Sequence, residues 1–426
     1  MVKQTLQLGI MSALNIGSAL AFQWLVLTIL GPGAQTDALF AALTVPQLFA
    51  AVISTSLTHV LTPLLAGESA DDQHRDCWTL LALTTIVFLG ITLVLVALAP
   101  WWIPLTVPGF SAANKALAVD LGRISLIGMI FTGLNAVQAA AAFARQRFIW
   151  TDATATCASI IAALLLVWLL PVYGVFAAAW IAVLRLLLQS LLLLRGMGRP
   201  RRPEMSRPMV SEAWRRLRPL LIGASYYKMD PLVDRFLLSA LPAGSLSLLY
   251  LAQQLHSAGS QVMVKALVVP AITQLAVAAK SDDDARYSTI LKRALCVMAL
   301  VALFAITALA VVGKPVLALA MEHGRFAPSD SAKLWLLLML TSGMLFGGAL
   351  GSLAAGAFYA RGNTRTPTWL GSISFTLSIG VKLMMFKLFG LVGLAIAISS
   401  YYLISLVMMV GSLYRRKLFD QFPLGV

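Results

Sequence analysis

The sequence predicts an all-α integral membrane protein, with about twelve transmembrane helices in two pseudo-symmetric six-helix lobes. Three observations carry that prediction. Only 12% of the 426 residues are charged while 59% are hydrophobic, and the mean hydropathy is +0.86; soluble domains carry about 25% charged residues. Apolar runs near or above the roughly 20 residues needed to cross a bilayer recur along the whole chain. The first half also resembles the second, landmark by landmark.

Hydropathy and length place the spans near residues 18, 50, 91, 128, 160, 184, 227, 262, 301, 345, 376 and 402. These runs are too long for barrel strands, and only helices satisfy their backbone internally. The first run is too long for the apolar core of a signal peptide and reads as mature structure. No sizeable soluble domain is left over.

The formal charge of +15 is a topology signal rather than a nucleic-acid footprint. One set of connections holds Arg75, Arg145, Arg147, the GRPRRPEMSRPM run, Arg215, Arg216, Arg218, Lys280, Arg286, Lys292, Arg293, Arg361 and Arg365. The opposite set holds little beyond Lys115, Lys314, Arg325, Lys333, Lys382 and Lys387. The positive-inside rule then puts both termini in the cytoplasm, and the basic side faces anionic membrane lipids. Cys77, Cys157 and Cys296 fall in or beside separate spans without metal-like spacing, and read as small buried residues.

The repeat runs in order. Pro46, Gln47, Leu48 and Pro63 match Gln253, Gln254, Leu255 and Pro270; Gly109 and Phe110 match Gly324 and Phe326. AAAFARQRF with Arg145 matches AGAFYARGNTR with Arg361, and Tyr173 and Gly174 match Phe389 and Gly390. Six spans per copy make the copies parallel repeats about an axis along the membrane normal. The expected division is an N-lobe at 1–197, a basic cytoplasmic linker at 198–209, a C-lobe at 210–418 and a cytoplasmic tail at 419–426.

Ionisable residues inside spans are costly and normally face a cavity or a partner. SYYKMDPLVDRF in span seven places Lys228 and Asp230 near mid-span, with Asp234 and Arg235 further along, and Pro231 frees a carbonyl and kinks the helix. Lys228 reads as an anion ligand and Asp230 as an ion- or proton-coupling acid; the alternative is a salt bridge holding the kink. Asp234 and Arg235 read as an interlobe or interfacial ion pair, with an ion-coupling or gating role as the alternative. Lys265, five residues before Pro270, is a candidate phosphate contact, and Arg185 in span six has no evident local partner. Asp120 and Arg123 are spaced to pair with each other. Asp37 opens span two, where an acid both caps its helix and complements the helix dipole. His59 reads as a packed hydrogen-bonding group. Gln253, Gln254 and His256 in span eight are candidate contacts to sugar hydroxyls.

GPGAQTDALFAALTVPQLF, VDRFLLSALPAGSLSLLYLAQQL, the HGRF turn and FYARGNTRTP together resemble signatures of the MurJ/MviN group of flippases. That group belongs to the multidrug/oligosaccharidyl-lipid/polysaccharide (MOP) exporter superfamily. The resemblance covers nearly the whole chain and implies a V-shaped, MATE-like two-lobe fold in the bacterial inner membrane. It implies a secondary transporter that flips an undecaprenyl-diphosphate-linked saccharide or peptidoglycan precursor by alternating access, and a gating role for Asp37. Four positions depart from the family pattern: Ile16, Phe22, Ala50 and Gln254 stand where the family carries arginines that receive the diphosphate. The family also has two more C-terminal helices. Those departures favour an exopolysaccharide, capsule or O-antigen repeat unit over lipid II, with polysaccharide biosynthesis enzymes as partners.

No P-loop, HExxH or GxSxG motif is present, so the reading is a transporter without a cofactor rather than an enzyme. Membrane potential, H+ or Na+ would drive it; one charge crossing 100 mV supplies about 2.3 kcal/mol. A MATE-like drug or cation antiporter is the alternative, and it would require cavity acids to outnumber cavity bases.

Overall fold

In a computed structural model of the chain, the structure describes residues 2–66, 70–198, 200–204, 208–281 and 283–419. The expected tail beyond Phe419 lies outside the described residues, as do positions 199 and 205–207 of the expected linker. Every regular element among the described residues is helical. The N-terminal copy comprises α1 (Val2–Leu30), α2 (Ala34–Phe49), a π-helical turn (Ala50–Ser54), α3 (Thr55–Leu65), α4 (Ala70–Thr106), α5 (Ala112–Ala144) and α6 (Phe148–Leu194). The second copy comprises α7 (Pro208–Ser225), a 3-10 turn (Tyr227–Met229), α8 (Asp230–Leu238), α9 (Ser245–Met263), a second π-turn (Val264–Val268) and α10 (Val269–Lys280). It continues with α11 (Asp284–Met321), α12 (Pro328–Leu340), α13 (Ser342–Ala360) and α14 (Arg365–Phe419).

Nine segments among the described residues are long and apolar enough to cross a membrane. Two of them are helix pairs: α6 and α14 each bend at one glycine, Gly174 and Gly390, both with φ +56°. That conformation suits glycine because it has no Cβ. With α7 and α8 as one broken helix, the total reaches the expected twelve. Two prolines of the second copy fall where a missing N–H is tolerated: Pro231 and Pro270 lie in the first turns of α8 and α10.

The two copies match element by element, and the π-turns fix their register. Pro63 lies well inside α3 whereas Pro270 lies at the start of α10. The proline-to-proline alignment read from the sequence is therefore out of step by about two helical turns, which keeps the helix face while shifting the position.

Contacts gather the chain into two compact units. One is Met1–Ser247 with the His323–Phe326 turn, and the other is Leu248–Glu322 with Ala327–Val426. In the first, α5 packs against α2, α3, α4 and α6 and is the most buried span. Its small residues Gly128, Gly133, Ala136 and Ala140 allow that crowding. In the second, α13 takes the same place against α10, α11 and α14. A Cβ on Gly347 would lie 2.7 Å from the backbone of Tyr402 in α14.

Each copy closes its fourth span with an arginine clamp. Arg145 donates to Gln73 Oε1 at 2.9 Å and to the Gly196 carbonyl at 2.7 Å. Arg361 pairs with Asp284 at 2.5 Å and lies 4.2 Å above the Tyr287 ring, whose hydroxyl donates to the Ala357 carbonyl.

Three expectations are corrected. Cys77 is buried as expected, but Cys157 and Cys296 are exposed; on a lipid-facing surface an apolar residue need not be inside. His59 is exposed rather than packed. Lys382 is not in a connection: it sits within α14, fully buried, 6.0 Å from the Tyr401 ring centre. Ser374 and Ser378, two turns and one turn before it, are also buried and make a polar stripe on that face.

Gly347→Ala should lower the unfolding free energy by about 1–3 kcal/mol through overpacking against α14. Gly351→Ala, whose added Cβ meets open space, should be neutral. Thermal unfolding of the two purified variants in one detergent measures the difference.

Candidate functional site

The Thr-Asp pair at the start of α2 organises a buried polar cluster in the first unit. The first turn of α2 closes on itself without the aspartate, because the Gly33 N–H donates to Thr36 Oγ1 at 2.9 Å. Asp37, 3% exposed, turns instead to the start of α9. The Gly244 N–H donates to its Oδ2 and the Ser247 N–H to its Oδ1, each at 2.7 Å. The Ser247 hydroxyl also donates to Oδ1 and lies 3.0 Å from Thr36 Oγ1.

The aspartate therefore caps a helix, but a different helix from its own. A helix start leaves N–H groups unpaired and carries partial positive charge, so a carboxylate there makes charge-assisted bonds. Gly244, with φ +91°, supplies the turn that aims those N–H groups. The HGRF turn is tied down nearby in the chain order of this unit, where the Arg325 N–H donates to the Thr28 carbonyl at 2.8 Å.

Asp234 and Arg235 are 1% and 3% exposed. The Arg235 Nε donates to Thr44 Oγ1 at 3.1 Å, which joins α8 to α2. Both residues are buried, and Arg235 fastens α8 to α2.

Lys228 and Asp230 lie where the seventh span breaks. The 3-10 turn precedes Pro231, so the break comes one turn before the proline. Lys228 is half-buried and its ammonium donates to the Ala51 carbonyl in the first π-turn. A π-turn shifts the hydrogen-bond ladder and leaves backbone oxygen available to an outside donor. Asp230, the first residue of α8, is half-buried and engaged.

Arg185, half-exposed on α6, has no hydrogen-bond or ion-pair partner among the described residues. Asp120 and Arg123 do pair, at 3.9 Å with both side chains about half exposed, a geometry worth little.

In the second unit, Lys265 is exposed on the second π-turn, and Gln253 and Gln254 are half-buried on α9. His256 is 4% exposed with Nε2 2.9 Å from the Leu338 carbonyl, so it links α9 to α12. Sequence reasoning missed Ser247 and Thr44, the partners of Asp37 and Arg235. The signal for Ser247 was present: three residues after Gly244, it occupies the first turn of a helix that lacks an N-terminal acid of its own.

Asp37→Asn keeps the shape but presents one amide donor to a site built from donors. It should cost about 1.5–3 kcal/mol at this cap and raise the labelling rate of a cysteine placed at Ser245, read by maleimide modification of membranes. Asp37→Glu should restore part of the protection.

The chain resembles known proteins along nearly all its length. The sequence profile described as lipid II flippase MurJ matches residues 26–424. A probable lipid II flippase MurJ of Bdellovibrio bacteriovorus is 24% identical over 416 residues, covering 92% of this chain and 78% of that protein. One from Vibrio cholerae is 28% identical over 200 residues, 46% of this chain and only 37% of that protein. Among solved structures, lipid II flippase MurJ in an inward closed conformation has a TM-score of 0.84 at 17% identity, covering 97% of this chain and 88% of that one. An inward-facing multidrug resistance MATE transporter of the MOP superfamily has a TM-score of 0.79 at 15% identity, covering 98% and 99%. The solved structures establish the fold and the profile establishes the lineage: this multi-pass membrane protein belongs to the lipid II flippase MurJ family.

Proposed function

We propose that the chain is a secondary transporter that flips a lipid-linked saccharide diphosphate across the bacterial inner membrane. The observation that carries this reading is the contrast between its cations and its acids. Arg185 and Lys265 have no partner among the described residues, and Lys228 is held only by a backbone carbonyl. The acids are committed: Asp37 to three donors, with Asp234 buried and Asp230 engaged. Available cations and committed acids favour an anionic substrate over the cationic one of a drug antiporter.

Lys228 is the residue best suited to exchange partners, because a backbone carbonyl is a weaker acceptor than a diphosphate. Release of Lys228 would free the π-turn, and release of Asp37 would free the start of α9; a transport cycle needs such paired contacts that break and reform. The finer reading is a saccharide other than lipid II, supported by Ile16, Phe22, Ala50 and Gln254 at the four family arginine positions. The reading includes two six-span repeats joined by the basic stretch 198–209, supported by the ordered landmarks of the two copies, and cytoplasmic termini, supported by the charge distribution. Membrane potential, H+ or Na+ would drive the cycle.

Proteoliposomes carrying the chain should move a fluorescent undecaprenyl-diphosphate saccharide between leaflets, and move lipid II at least tenfold more slowly. Lys228→Ala with Arg185→Ala should reduce the rate at least tenfold while thermal unfolding stays within a few degrees. Equal rates for the double variant and the parent would remove the anion-site assignment, and equal rates for the two lipids would remove the substrate preference.

A further inference from the structure

We propose a second oxyanion site in the other unit, in the cavity between α10 and α11, with Arg293 as its principal ligand and Gln274 as its second donor. The cavity has a volume of about 420 Å³ and is lined by Pro270 and Gln274 on α10 and by Thr289 and Arg293 on α11. That volume lies within the range of small-ligand sites, about 300–1,000 Å³.

Thr289 and Arg293 are four residues apart and share a face of α11. The Thr289 hydroxyl donates to the Ala285 carbonyl at 2.9 Å, which leaves the hydroxyl oxygen as an acceptor. Arg293 and Gln274 are both exposed to the cavity, and neither has a hydrogen-bond or ion-pair partner among the described residues. An arginine that served packing would be clamped as Arg361 is, against Asp284 and Tyr287.

The repeat supplies an internal control. Beside the helix that follows its own π-turn the first unit also holds a cavity, of about 650 Å³, walled there by α3, α4 and in addition α7. That one is lined by apolar side chains such as Leu57, Leu61 and Phe88, with Thr84 and Ser211 as the polar exceptions. The architecture thus forms a cavity here without a cation, and the second copy has equipped its own with one.

The ligand class follows from the donors. A guanidinium presents a planar fork that takes two oxygens at once, and the Gln274 amide adds a donor from the facing helix. A carboxylate has two oxygens and would fill the fork alone; a phosphoryl group has a third for the amide. The class is therefore phosphate or diphosphate, either free or as the headgroup of a lipid. This goes beyond the transport reading and does not depend on it.

The test uses the full chain in detergent and isothermal titration with inorganic pyrophosphate. The parent should bind saturably, and Arg293→Gln should bind at least tenfold more weakly. Arg293→Lys, which keeps the charge without the fork, should fall between them. Lys292→Gln, which alters the adjacent charge outside this cavity, should match the parent. Unchanged melting temperatures would show that each variant is folded. Farnesyl diphosphate is the second probe: binding at least tenfold tighter than pyrophosphate assigns the site to a lipid headgroup, and equal binding assigns it to a free oxyanion. The proposal is overturned if the parent binds neither probe, if Arg293→Gln binds as the parent does, or if Lys292→Gln loses as much. Because the readout is binding, a chain that binds through Arg293 yet flips nothing would count against the transport reading alone.

Discussion

A backbone polar group inside an apolar medium has no water to pair with, and the polar side chains of this protein are arranged around that constraint. Asp37 collects the N–H groups at the start of α9, Lys228 covers a carbonyl in the first π-turn, and Tyr287 and His256 reach carbonyls on neighbouring helices. Arg145 does the same for the Gly196 carbonyl. In each case a helix end or a bulge creates the unpaired group, and a side chain from elsewhere in the sequence removes its cost. The same contacts that satisfy the backbone also tie one element to another, so structural and functional roles fall on the same residues.

This overlap limits what sequence reasoning can resolve. Composition and apolar length were enough for an all-helical membrane fold, since few other arrangements satisfy the backbone in lipid. The repeat was legible because Gly174 and Gly390 must each be glycine for the same conformational reason. The charged residues were legible as a set, and apart from the local Asp120–Arg123 pair their partners were not. Asp37 is preceded by all the marks of a cap for its own helix, yet it bonds to residues more than two hundred positions away. Lys228 faces an acid two residues on in the sequence, yet its ammonium goes to a carbonyl on another helix. Hydropathy ranks residues by type and has no access to which backbone groups a distant bulge will free.

Lys382 shows the opposite failure. A lysine between apolar runs reads as a connection, because charge usually marks the end of a span. The buried serines at 374 and 378 form a polar track on one helical face, and that spacing was the available clue. A period-based reading would have placed the lysine on the same track. The two exposed cysteines follow the same logic in reverse, since the outer surface of a membrane protein is itself apolar and burial no longer follows from hydrophobicity.

The two π-turns have a history as well as a mechanical role. Each holds one residue more than an α-helix would use to cover the same ground, and each is followed by a helix of nearly equal length, eleven residues in α3 and twelve in α10. A surplus residue at nearly the same distance from the end of the second span in both copies is most simply explained by a single ancestral insertion. The bulge would then be older than the duplication, and the two halves have since diverged around it, one lining its neighbouring cavity with leucines and the other with an arginine.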